Sequence, residues 1–160
     1  STPSNSSAAS DVYKRQYRNN QIICNLANKM YPDMEPCDSA MNVKTEHDGI
    51  FWIEEKDIDN YMETYKPMQL RYDRRTKVNA KFRVMTFGSA KGLTFDRVLI
   101  YPTQPMLTWL SGKSKGLKGE SLSKFYVAVT RAKYSVGFIY KTKKVPSEII
   151  GIKWTPNIDE

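Results

Sequence analysis

Histidine and cysteine are nearly absent: His47 stands alone in 160 residues, and the two thiols are Cys24 and Cys37. Two cysteines are too few for a disulfide scaffold, and with one histidine they make a poor zinc site. They read as buried or idle thiols of a reducing, cytoplasmic protein. No run of 18 apolar residues occurs, which excludes a membrane-spanning helix. The N-terminus lacks the basic-then-apolar pattern of a signal peptide. A complete phosphate-cradling loop is missing too. G-K-S at 112–114 resembles the end of one, but the glycine required five positions before Gly112 is Leu107. No internal repeat is evident. The acids Glu54, Glu55, Asp57 and Asp59 fall on a strand end and a helix start, do not converge, and are expected to be surface charge.

Acidic residues are scarcest where basic ones are densest. Residues 81–144 contain 13 Lys/Arg against only Asp96 and Glu120, whereas the whole chain carries a net charge of +8. The second half is therefore a concentrated cationic surface, suited to nucleic acid or to nucleotide phosphates. On charge alone, a stand-alone basic nucleic-acid-binding module is a sufficient reading.

With 40% hydrophobic residues, the chain has the length and composition of one globular domain with a real core. Residues 1–10, S-T-P-S-N-S-S-A-A-S, have no charge and nothing large to bury. Residues 1–16 are expected as a disordered leader or cloning scar ahead of a lobe at 17–160. Ile22, Ile23, Leu26, Ala27 and Met30 repeat with helical spacing, with Asn19 or Asn20 as cap and Pro32 beyond the end. Strands are expected at 49–53, 68–72, 82–87, 97–101, 136–140 and 149–154, and further helices at 57–65 and 121–133. The basic stretch 111–119 reads as a flexible loop. Strands alternating with helices predict an α/β fold, a mostly parallel sheet with helices on both faces.

On a helical wheel over 122–134, Leu122, Phe125, Tyr126 and Val129 form one apolar stripe. Arg131 falls opposite it, with Lys124, Val127 and Tyr134 on its side. A guanidinium held outward there matches phosphate oxygens two at a time. The Val127–Tyr134 side is also readable as an exposed protein-interaction patch.

These residues carry a resemblance. Y-V-A-V-T-R-A-K (126–133) resembles motif VI of UvrD/Rep-like superfamily 1 DNA helicases. M-T-F-G-S-A-K-G-L-T-F (85–95) with D-R-V-L-I (96–100) resembles their motif V, and Y-R-N-N-Q-I-I-C-N-L-A-N (17–28) their motif IV, in the family's order. The resemblance implies a C-terminal RecA-like motor lobe. It implies ATP bound between this lobe and an upstream one that supplies the P-loop and the magnesium ligands, so the chain is expected to be a fragment, inactive alone. Carried over by position, Tyr17 would stack near the adenine and Arg18 and Arg131 would reach the γ-phosphate. Lys91, Gly92 and Thr94 would lie on the nucleotide side of motif V. Thr86, Gly88 and Ser89 would hold single-stranded DNA. Two positions depart from the pattern: Gly88 replaces the usual histidine, and Thr94 the usual glutamate that contacts ribose. The long insertion typical between motifs IV and V is also missing.

Overall fold

The computed structural model of the chain describes residues 16–113 and 116–156. The expected leader thus falls outside the described residues except for Gln16, as does Ser114. Two apolar runs organise the rest. β6 (Phe95–Tyr101) and β7 (Ala132–Tyr140) are buried along most of their length, as strands covered on both faces must be. They pair in parallel at the centre of a six-stranded sheet. β4 (Met68–Arg71) and then β5 (Val84–Thr86) flank β6, while β3 (Gly49–Glu54) and then β8 (Ile152–Lys153) flank β7, all parallel. A separate parallel pair joins β1 (Gln16–Tyr17) to β2 (Asp38–Ser39).

Period-two alternation divides the core. Ile50 and Trp52, Met68 and Leu70, Val98 and Ile100, and Val136 and Phe138 face one side. There they meet α1 (Gln21–Met30), α3 (Gln104–Leu110) and α4 (Gly119–Thr130). Ile53, Leu99, Tyr101 and Ile139 face the other, against Tyr61 and Met62 of α2 (Ile58–Tyr65). Gly137 leaves room for the side-chain ends of Ile53 and Leu99, beside the Tyr61 hydroxyl of α2. A Cβ there would lie 2.6 Å from Ile53 Cδ1 and 3.0 Å from Leu99 Cδ1.

The expected mostly parallel sheet with helices on both faces is therefore what forms. Local expectations needed correction. β5 and β8 are shorter than predicted, and β6 starts earlier, at Phe95. α3 was not expected, because Q-P-M-L-T-W-L is too short for a clear period; Thr103 caps it, accepting from Met106 N at 3.4 Å, with proline in its first turn. Gly112 lies just beyond its end with φ of +93°, so Gly112 and Lys113 follow a helix. α4 stops at Thr130, not at 133, because Thr130 Oγ1 turns back to Tyr126 O (2.8 Å) and Val127 O (3.2 Å) and β7 begins two residues on. Tyr134 is accordingly a strand residue between the cations of Arg97 and Lys133. It shares no helix face with Val127, and both are half-buried, so the proposed interaction patch does not exist as a continuous surface. Among the described residues no helix is long and apolar enough to cross a membrane.

His47 is 3% exposed, stacked between Phe51 and Tyr65 at 3.8 Å from each ring centroid. It shares a 2.8 Å hydrogen bond with the Tyr61 hydroxyl, and Arg97 binds its carbonyl, Thr45 Oγ1 and Ser135 Oγ. Burial first, and then the Arg97 charge, lower its pKa from 6.5 to about 4; Asp48 opposes this weakly. The folded state therefore takes up its proton later than the unfolded chain as pH falls. Stability is intact above about 6.5 and declines toward 4. Denaturant titration should show about 2 kcal/mol lost between about pH 7.5 and pH 5. A His47→Phe variant should lack that slope; an equally steep loss in it would assign the effect to other groups.

Candidate functional site

The motif IV segment is anchored by two asparagines. Asn19, 5% exposed, donates through its side-chain amide to Thr130 O (2.8 Å) and Ala132 O (2.6 Å), the carbonyls on either side of Arg131. Asn20 caps α1, accepting from Ile23 N at 3.0 Å, and donates to Tyr134 O at 2.7 Å. Its backbone N–H binds Lys133 O at 2.9 Å. Arg18 is therefore tied within one residue of a clamp that straddles Arg131, although 113 positions separate them in sequence. Arg18 is exposed, and among the described residues it makes no hydrogen bond or ion pair.

Arg131 is half-buried just past the end of α4. Its Nε donates to Val127 O (3.0 Å), one terminal nitrogen to Leu93 O (2.9 Å) and the other to Thr130 Oγ1 (3.1 Å). The wheel expectation that it points clear of its own domain is thus corrected: the capping position folds the side chain onto the neighbouring loop. A guanidinium has five N–H donors, so two remain, one on each terminal nitrogen. Burial pushes its pKa below the usual arginine value and Tyr126 acts the other way, yet an arginine stays charged near neutrality. Among the described residues no carboxylate pairs with it. The result is a fixed, partly dehydrated cation with two free donors, which favours an anion.

The motif V loop adjoins it. Phe95 N donates to Arg131 O at 2.8 Å, so Thr94 and Leu93 lie beside that rim. Lys91, Gly92 and Thr94 are exposed. Gly92 has φ of +84°, a left-handed conformation that lets the chain leave the short 3-10 turn Gly88–Ala90 and enter β6. Gly92→Ala should lower stability by about 1 kcal/mol and shift the Leu93 carbonyl that holds Arg131. Thermal denaturation measures the first effect; no loss would mean that the loop relaxes freely.

Thr86, Gly88 and Ser89 lie elsewhere. Thr86 Oγ1 contacts Ser89 Oγ at 2.9 Å and accepts from Ser89 N at 3.3 Å, forming an exposed hydroxyl pair. A Cβ on Gly88 would meet nothing within 4 Å, so space for the usual histidine is open. Arg71 pairs in register with both Thr86 and Tyr101, which puts Thr86 at the carboxyl end of the sheet. Phe95 starts β6 at the opposite end, roughly 20 Å away at about 3.3 Å per residue. The carried-over residues therefore form two groups joined by the crossover 87–94: Arg18, Arg131 and 91–94 at the amino edge, and Thr86, Gly88 and Ser89 at the carboxyl edge.

Tyr17 is half-buried and packs on Cys24, Ala27 and Cys37, beside Tyr126. Both thiols are free, and burial pushes both up, away from the reactive thiolate. Among the described residues no three His, Cys, Asp or Glu side chains come together as a metal site. The clamp residues Asn19 and Asn20 and the structural Arg97 were not singled out from sequence. The Asn-Asn pair next to Arg18 was visible, but only as a helix cap.

This fold, carrying the three motifs in order, defines a helicase motor lobe of the RecA-like α/β type. The UvrD-like helicase C-terminal domain family matches residues 52–143, more than half of the chain, and the chain belongs to it. Among solved structures it is similar to the methylated nsp10 helicase of PRRSV, at 20% identity and a TM-score of 0.50, over 81% of this chain and 24% of that one. It is also similar to the Arterivirus nonstructural protein 10 helicase, at 20% identity and a TM-score of 0.49, over 84% and 27%. The chain spans about a quarter of the length of these viral helicases. No curated protein matches it.

Proposed function

We propose that this chain is the C-terminal motor lobe of an ATP-dependent DNA helicase, which supplies Arg18 and Arg131 to an ATP site completed by an N-terminal lobe. The observation that carries the reading is the Asn19 clamp, which ties the Arg18 segment to both carbonyls flanking Arg131. The donor set fits a phosphate: cationic N–H groups with no competing carboxylate. It does not fit magnesium, whose ligands would come from the other lobe. ATP, when bound, brings the scissile phosphoryl group. Arg131 would place its two free N–H donors on the γ-phosphate oxygens, held in orientation by Val127 O and Leu93 O, so little reorganisation is needed as charge develops. Arg18 would add a second, mobile charge, Tyr17 would lie near the base, and Lys91, Gly92 and Thr94 would line the same side. Thr94 has a hydroxyl where the family has a carboxylate, and would hold a ribose more weakly. Thr86, Ser89 and the Gly88 backbone would hold phosphates of single-stranded DNA at the far edge.

Alone, the chain would turn over no ATP, because among the described residues no cluster of acidic side chains offers a magnesium site and the P-loop would come from the other lobe. Joined to a P-loop lobe of the same family, it should give ATP hydrolysis stimulated by single-stranded DNA. A correctly folded two-lobed protein that binds DNA yet shows no stimulated hydrolysis would refute the proposal.

A further inference from the structure

The carboxyl edge of the sheet holds a feature that the motor reading does not use. A cleft of about 820 Å³ opens between the loop after β4, at residues 75–77, and the ends of β6 and β7. Its position follows from topology. The chain leaves β4 toward β5 on one side and leaves β6 toward β7 on the other. Where neighbouring strands send their connections apart in an open α/β sheet, a crevice forms outside their carboxyl ends, and ligands bind there. Tyr101, Leu107 and Ile139 give this crevice an apolar floor, while Arg75, Lys77, Lys113 and Lys141 line its mouth. Two of those charges are partly offset, Arg75 by Asp73 at 2.7 Å and Lys141 by Glu55 at 3.9 Å. Among the described residues, Lys77 and Lys113 have no ion-pair partner.

An apolar floor and a cationic mouth, in a volume suited to a small ligand, together match a flat base carrying a phosphate.

We propose that this cleft binds one nucleotide unit, base inward on the apolar floor and phosphate at the lysines, at a site separate from Arg18 and Arg131. The unit is either a free nucleotide or one residue of a single strand; only the second source rests on the helicase reading, because Thr86 and Ser89 share this edge. The test is titration of the full chain with fluorescent mant-labelled AMP at physiological salt, repeated with unlabelled (dT)12 as competitor. The Lys77→Ala/Lys141→Ala double variant, changed only at exposed positions, should weaken mant-AMP binding at least tenfold. Leu107→Ala, which removes part of the apolar floor, should weaken it several-fold with the lysines intact, which general electrostatic attraction does not predict. Competition by (dT)12 identifies the strand as the source, and its absence a free nucleotide; both support the site. No mant-AMP binding, or binding lost through Arg18→Ala but indifferent to the lysines and Leu107, overturns it. That failure leaves the motor reading intact, because the motor reading rests on the other edge.

Discussion

Arg131→Ala in the two-lobed protein is expected to lower the rate of ATP hydrolysis by about 10³–10⁵-fold, the range measured for an arginine supplied to a transferring phosphoryl group. Single-strand affinity should change little, because Thr86 and Ser89 lie at the other end of the sheet. The size follows from the local arrangement. Three of the five guanidinium donors are occupied by Val127 O, Leu93 O and Thr130 Oγ1, so the remaining two are already oriented. Lysine keeps the charge but has neither the fork nor the planar anchor. Arg131→Lys should therefore recover only a small part of the rate. Steady-state hydrolysis at saturating DNA, with DNA affinity measured in parallel, separates the two effects. Near-normal turnover in Arg131→Ala would remove the residue from the nucleotide site.

Asn19→Ala should be the most damaging single change to the amino edge, with about 2–5 kcal/mol of stability lost. The amide satisfies two carbonyls, Thr130 O and Ala132 O, in a 5%-exposed position, and alanine leaves both without that donor. The alternative outcome is local detachment of residues 16–19 without global unfolding, because Asn20 still donates to Lys133 O and Tyr134 O. Denaturant melts report the first, and hydrogen exchange at Ala40, whose N–H donates to Tyr17 O, reports the second. Asn19→Asp is a sharper probe. A carboxylate facing two carbonyls is repelled when ionised, so the deficit relative to the parent at the same pH should be larger at neutral pH than near pH 4. A variant as stable as the parent by both measurements would show that the clamp carries no load.

Much of the sheet could be read from the chain because its signal is local. V-L-I-Y and V-G-F-I-Y are short, continuous, β-rich apolar runs, as strands covered on both faces have, and the α1 period is unbroken. What failed was local in another sense. The helix ending in Arg131 was extended by three residues because Ala132 and Lys133 have good helical propensity. The stop comes from a hydroxyl turning back on the helix and from strand pairing with β6, and the pairing depends on residues far along the chain. The direction of Arg131 was misjudged for the same reason. Asn19 looked like a cap because its real partners, Thr130 and Ala132, are over 110 positions away. Arg97 and the buried His47 were invisible for a similar reason: their environment is made by four separate segments.

The crossover between the two edges has little spare length. From Thr86 to Phe95 the chain makes two consecutive turns, closed by Lys91 N on Gly88 O and Leu93 N on Ala90 O, so its reach is at most roughly 25 Å. It must climb roughly 20 Å while passing sideways over β4, about 10 Å across two strand spacings, a path of roughly 22 Å. A tether that close to its limit stores almost no slack. Motion imposed at Leu93, where the crossover grips Arg131, is carried toward Ser89 at the opposite rim instead of being lost in between.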